Sequence, residues 1–100
     1  MNERENLIIL YDYYGELLTE DDKKYFEDYY FDNLSLGEIS ENNLISRNAI
    51  HKHIKNSVKK LEFYENKLRL CEKDRLLNKL IEEISDEKVR KIIKELINKL

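Results

Sequence analysis

Residues 35–55 read SLGEISENNLISRNAIHKHIK, and this stretch decides the fold. Ser35-Leu36-Gly37-Glu38 fits the S-x-x-E capping box, in which hydroxyl and carboxylate each satisfy a backbone N–H of the other. A short helix over about 36–42 should follow. Asn43-Leu44-Ile45 then forms a three-residue turn, and Ser46 is the next N-cap, its hydroxyl able to accept an orphan N–H. A short capped helix, a tight turn and a second capped helix is helix-turn-helix spacing. Leu36, Ile39, Ile45, Ile50 and Ile54 supply the apolar knobs that such a crossing must bury. Ala49 stands at the start of the second helix, where a small side chain permits close approach. Two positions depart from the common pattern. Many such turns carry Gly where Leu44 stands, because the backbone there is left-handed. Asn43 occupies a position that is often apolar. Strain at Leu44, or a wider turn, is therefore expected.

Outward from this stretch, the remaining chain is also helical in pattern. Leu7, Leu10, Tyr11 and Tyr14 recur at i, i+3, i+4, i+7, giving a first helix over 4–14 with a stop at Gly15. Thr19 is a further N-cap, and Glu20, Asp21 and Asp22 suit the first turn behind it. Tyr25, Phe26, Tyr29 and Tyr30 form an aromatic stripe on that second helix. From Ser46, a stripe through Ile50, Ile54, Ser57/Val58, Leu61, Tyr64 and Leu68 runs into another through Leu76, Leu77, Leu80, Ile81 and Ile84. The stripe centres differ by roughly 140° on an unbroken helix, so a bend or break is predicted near 69–74. Ser85-Asp86-Glu87 reads as another cap with acids behind it. Val89, Ile92, Ile93, Leu96, Ile97 and Leu100 form the face of a last helix. No strand pattern or internal repeat is visible. The expected class is all-α: a helix-turn-helix core of four helices with additional C-terminal helices. The expected domains are residues 1–68, with the motif at about 35–55, and a C-terminal extension over 69–100 that packs on the core or dimerises.

Composition narrows the function. The chain has 100 residues, 39% of them charged, with no Pro and only two Gly. It lacks the run of about 20 apolar residues that a membrane-spanning helix needs. The charged start, Met-Asn-Glu-Arg-Glu, has no apolar segment behind it, so no signal peptide is expected. One Cys, Cys71, cannot close an internal disulfide and is read as a spare thiol. A reducing cytoplasm is the expected compartment.

The formal net charge is −3, but it is unevenly spread. Residues 1–34 carry ten acids and three bases, a net of −7, whereas Ser46 to Leu61 holds five bases and no acid. Arg47, Asn48, His51, Lys52, Lys55 and Lys59 fall on an arc of roughly 140° beside the apolar stripe. A recognition helix needs this combination: a polar N-terminus and bases for phosphates, with Arg, Asn and His for base edges. Ser46, Arg47, Asn48, His51, Lys52, Lys55 and Lys59 are the candidate nucleic-acid contacts. The same residues also suit a solvated basic face.

Catalytic and metal chemistry find little support. His51 and His53 are two apart, so on a helix they point roughly 200° from each other and cannot share a metal. His53 is read as structural. Glu20, Asp21, Asp22, Glu27, Asp28 and Asp32 are interleaved with Lys23 and Lys24, which suits solvated helix faces better than acid–base work. No phosphate loop, nucleophile elbow or metal motif is present. The chain is read as a non-enzyme with no catalytic residue, no metal and no cofactor.

The run from Leu18 to Leu68 resembles the YlxM family of small bacterial helix-turn-helix proteins, whose motif is similar to region 4 of sigma factors. The pieces that carry the resemblance are Leu18-Thr19, Tyr29-Tyr30, Asp32 to Ile39, Ile45 to His51, Ile54-Lys55 and Leu61 to Leu68. The family usually has Gln where Asn48 stands and Ala where Ser40 stands. The resemblance implies a DNA-binding or regulatory protein. Its gene neighbourhood implies a role near signal recognition particle components. Two functions are therefore carried forward. One is a regulator that binds duplex DNA, expected as a homodimer because a helix-turn-helix monomer reads few bases. The other is a non-catalytic module for a signal recognition particle protein or RNA, with the acidic first half meeting a basic partner.

Overall fold

The computed structural model describes residues 2–99. These are all-α, with no strand among the described residues. The helices are α1 (Glu3–Tyr14), α2 (Glu20–Tyr30), α3 (Leu36–Asn43), α4 (Arg47–Leu68), α5 (Leu70–Glu82) and α6 (Glu87–Lys99). One 3-10 turn, Gly15–Leu17, follows α1. The chain divides into two compact units, Met1–Arg69 and Leu70–Leu100.

Local chemistry sets each boundary in the first unit. Asn2 caps α1 by accepting the Glu5 N–H at 2.8 Å. The helix ends at Gly15, as its spacing suggests, but not through glycine's left-handed freedom: φ there is −56°. What Gly15 supplies is space, because a Cβ would lie 2.9 Å from the Tyr11 ring. Thr19 Oγ1 accepts the Asp22 N–H at 3.2 Å and starts α2. The capping box forms in full, with Ser35 Oγ accepting from Glu38 N–H and Glu38 Oε1 accepting from Ser35 N–H, both at 3.1 Å. The second of these bonds favours the ionised form and holds the Glu38 carboxyl below its ordinary value.

Two apolar clusters meet around α4. Leu7, Tyr14, Leu18, Phe26 and Leu61 join α1 and α2 to the middle of α4. Tyr25, Ile39, Ile50 and Ile54 join α2 and α3 to its first turns. Tyr30 packs against both clusters. The aromatic stripe is thus core: Tyr11 stacks on Phe26 at 4.6 Å between centroids, and Phe26 meets Tyr30 at 4.5 Å. Burial disfavours the phenolate, so the Tyr11, Tyr25 and Tyr30 hydroxyls are all pushed above the usual tyrosine value. At Tyr11 a hydrogen bond to Glu27 Oε2 at 2.9 Å adds to that effect.

Arg69, at φ 55°, ends α4 in the left-handed region, at the start of the interval where a break was expected. In the second unit, α5 and α6 contact each other. Ser85 is not the cap of α6. Asp86 is, with Oδ1 accepting the N–H groups of Lys88 at 2.9 Å and Val89 at 3.2 Å. A carboxylate carries full charge into the positive end of the helix, where it is favoured. Ile81 is buried, while Leu76, Leu77 and Leu80 on α5 and Val89, Ile92 and Leu96 on α6 are exposed. Leu100 lies outside the described residues. No described helix is long and apolar enough to cross a membrane.

Candidate nucleic-acid interface

The turn that aims α4 is built from polar bonds around one strained residue. Leu44 sits at φ 57°, ψ 37°, a left-handed conformation, and is 91% exposed. The turn is therefore tight, with the strain placed where glycine is more usual. Its neighbours fix it. Asn43 Nδ2 donates to the Ile39 carbonyl at 2.8 Å, and Asn43 Oδ1 accepts from Lys24 Nζ of α2 at 2.7 Å. Ser40 Oγ donates to the Ile45 carbonyl, and the Ile45 N–H returns a bond to Ser40 at 3.3 Å. Asn43 thus replaces an apolar contact with a polar tie from the turn to α2.

α4 starts at Ser46, whose Oγ accepts the Ala49 N–H at 3.1 Å. That hydroxyl is occupied in capping, so what Ser46 contributes to the face is chiefly the orientation of the helix end. Arg47, Asn48, His51, Lys52, Lys55 and Lys59 are all exposed on the side of α4 away from Ile50, Ile54, Ser57 and Leu61. With 1.5 Å of rise per residue, they span about 18 Å. The Arg47 guanidinium lies against Gly37 of α3: a Cβ there would lie 2.8 Å from Arg47 Nη2. Gly37 thus leaves room for that guanidinium against α3. Ala49 is half-buried and lies on the wall of a shallow open depression with Lys52, His53, Lys55, Asn56 and Lys59.

His51 and His53 separate as helical geometry requires. His51 joins the exposed face, whereas His53 turns toward α2. His53 Nδ1 lies 2.8 Å from Asp22 Oδ1, and its ring meets Tyr25 edge-on at 5.0 Å. Asp22 is almost fully buried, and its second oxygen takes Lys60 Nζ at 3.3 Å. Ser57 Oγ donates to the His53 carbonyl at 2.9 Å. Sequence reasoning placed His53 in the structure but missed its partners. Asp22 reads in sequence as one of three first-turn acids, and only the fold shows that it alone turns inward. Asn56, also absent from the candidate set, shares the depression.

The acidic side chains of α2 take part in ordinary ties. Glu27 accepts from Tyr11, and Lys23 of α2 pairs at 3.3 Å with Glu16 of the preceding 3-10 turn. Glu20, Glu27, Asp28 and Asp32 line an open depression with Lys23 and Lys24. Among the described residues, no group of three or more His, Cys, Asp or Glu could hold a metal ion.

Comparison with known proteins agrees with this geometry. A family model described as "Putative helix-turn-helix protein, YlxM / p13 like" matches residues 1–100. A UPF0122 protein of Malacoplasma penetrans is 45% identical over 78 residues, covering 78% of this chain and 73% of that protein. One from Caldanaerobacter subterraneus subsp. tengcongensis is 45% identical over 80 residues, covering 80% and 68%. One from Listeria welshimeri is 39% identical over 99 residues, covering 90% of each.

Proposed function

The chain belongs to the YlxM / p13-like helix-turn-helix family, and we propose that it is a non-catalytic regulatory protein that binds duplex DNA through α4. The observation that carries this reading is the exposed row Arg47, Asn48, His51, Lys52, Lys55 and Lys59, on a capped helix with its opposite side in the core. In this reading Arg47 and Asn48 meet base edges at the start of α4. Lys52, Lys55 and Lys59 neutralise phosphates, and His51 contacts a phosphate or a base. The N-terminal acids oppose approach to DNA, so binding is weak or selective and benefits from two copies. The helix-turn-helix domain is residues 1–68. Residues 69–100 pair two copies into a homodimer, a reading supported by the exposed Leu76, Leu80, Ile92 and Leu96. The protein would meet its target in the cytoplasm. An unbiased selection from random duplex DNA and RNA pools, run at two salt concentrations, tests this. Enrichment of duplex DNA that falls steeply with salt is expected, and no enrichment over background contradicts the reading.

The exposed acids of α2 favour a second reading, a module that binds a signal recognition particle protein or RNA. A pull-down against both components separates the two. Failure to enrich either one removes the second reading.

A further inference from the structure

The polar cluster beside the α4 face has a chemistry of its own. Asp22 is 2% exposed, and each of its oxygens has a cationic or protonatable partner, His53 Nδ1 at 2.8 Å and Lys60 Nζ at 3.3 Å. The His53 side chain is nevertheless 37% exposed and lines the depression with Lys52, Lys55, Asn56 and Lys59. The ring is held at three edges: Asp22 accepts from Nδ1, Tyr25 packs edge-on, and the helix backbone fixes its root. Among the described residues, Nε2 has no hydrogen-bond partner.

An ionised carboxylate only accepts, so it selects the imidazole form with hydrogen on Nδ1. Protonation then leaves the bond to Asp22 intact and adds a second N–H at Nε2. The groups facing the ring are Asp22 and the neutral Tyr25 from α2, and Lys52, Lys59 and Lys60 on α4 itself. Lys60 already offsets Asp22. A protonated His53 therefore adds one net positive charge to a wall that is already cationic. A phosphate oxygen is the ligand class that suits one N–H among lysines and an exposed amide such as Asn56.

We infer that His53, oriented by Asp22, is a proton-dependent phosphate contact on the flank of the α4 face. The inference rests on the reading of α4 as a duplex-binding surface. It extends that surface past the candidate residues, to His53 and Asn56, and makes affinity for duplex DNA rise when Nε2 carries a proton. Asp22 and Lys60 act here as positioning residues.

The chain has only two histidines, so the test can isolate His53. Binding of a mixed-sequence duplex oligomer is measured for the full chain carrying His51→Gln, and for the His51→Gln/His53→Gln double variant. Each is titrated with salt at about pH 6 and about pH 8. Glutamine keeps a donor for Asp22 but cannot gain a proton. The single variant is expected to bind about tenfold tighter at the lower pH. Its log–log salt slope is expected to steepen by about 0.9, the contribution of one more neutralised phosphate. Both effects are expected to vanish in the double variant. Persistence of the effects in the double variant, or their absence from the single one, overturns the inference while leaving the α4 surface standing. Absence of duplex binding by the wild-type protein at both pH values overturns the surface reading itself. Should the double variant fail to fold, the NMR titration of His53 in the single variant decides. Its midpoint is expected to move up when duplex saturates the protein, and an unmoved midpoint overturns the inference.

Discussion

Asp22 Oδ1 lies 2.8 Å from His53 Nδ1, tying the first turn of α2 to the second turn of the proposed recognition helix. The carboxylate is buried with Lys60 on its other oxygen, so the pair fixes α4 against α2 as well as exposing one edge of an imidazole. Replacing Asp22 by Ala removes two charge-assisted bonds. It is expected to destabilise the fold by about 2 kcal/mol, measured by urea unfolding. Lys60→Ala, whose partner keeps His53 and whose own side chain is partly solvated, is expected to cost about 0.5 kcal/mol. Equal costs for the two would show that Asp22 is not the centre of the cluster.

Leu44 is left-handed and almost fully exposed, so its side chain contributes little burial to offset backbone strain. Leu44→Gly relieves about 1–2 kcal/mol of local strain and gives back part of that through greater freedom of the unfolded chain. A net gain of about 0.5–1 kcal/mol is expected in the same unfolding measurement. A loss would mean that Leu44 makes a contact that outweighs its conformation.

Gly37→Ala places a methyl group 2.8 Å from the Arg47 guanidinium, the far end of a flexible side chain. Helix propensity favours Ala by about 1 kcal/mol, so stability is expected to hold or rise. Arg47 is expected to move, and duplex discrimination to change without loss of fold. Circular dichroism and binding to a selected duplex, compared with a scrambled one, check both halves. A destabilised variant would contradict the flexible-end reading of that contact.

The response to pH follows from hydrogen bonding and burial. The Glu38 carboxyl is lowered in the folded state by the Ser35 N–H bond. Its contribution is present above the ordinary glutamate value of about 4.3 and is lost as pH falls through the folded value. Tyr11, Tyr25 and Tyr30 are raised. Their contribution is complete below the ordinary tyrosine value of about 10 and declines as pH rises beyond it. Stability against urea is therefore expected to fall above about pH 10, with Tyr11, Tyr25 and Tyr30 ionising as the chain unfolds. Site-resolved NMR showing Tyr11, Tyr25 and Tyr30 ionised at the ordinary value in the folded protein would contradict the burial of these hydroxyls.

The exposed Ile92 and Leu96 of α6 bear on assembly. Sedimentation of the wild-type chain is expected to give a dimer, and Ile92→Lys/Leu96→Lys is expected to give a folded monomer. A wild-type monomer would contradict the proposed role of residues 69–100.

Helix capping makes the motif legible in the sequence. Ser35, Ser46 and Thr19 act locally, within three residues, so their roles are written in adjacent sequence. The apolar repeats through Ile39, Ile50, Ile54 and Leu61 likewise mark one buried side. What stayed hidden is non-local. Asp22 looks like its neighbours Glu20 and Asp21 until α4 arrives with His53 and Lys60. Gly15 and Gly37 look like helix punctuation until the Tyr11 ring and the Arg47 guanidinium occupy the space a Cβ would take. Asn43 reads as a departure from an apolar position until Lys24 of α2 reaches it. At α6, Ser85 and Asp86 are both good caps, and only the register of the helix selects between them.

The most direct test of α4 as the binding surface is charge reversal at two exposed positions far from the core. Duplex DNA binding is measured at low salt for the wild-type chain and for Lys52→Glu/Lys55→Glu, with folding checked by circular dichroism. The wild type is expected to bind with a log–log salt slope of about −0.9 per phosphate neutralised. The folded double variant is expected to lose that binding. Binding by the variant as tight as wild type would contradict the assignment of this face.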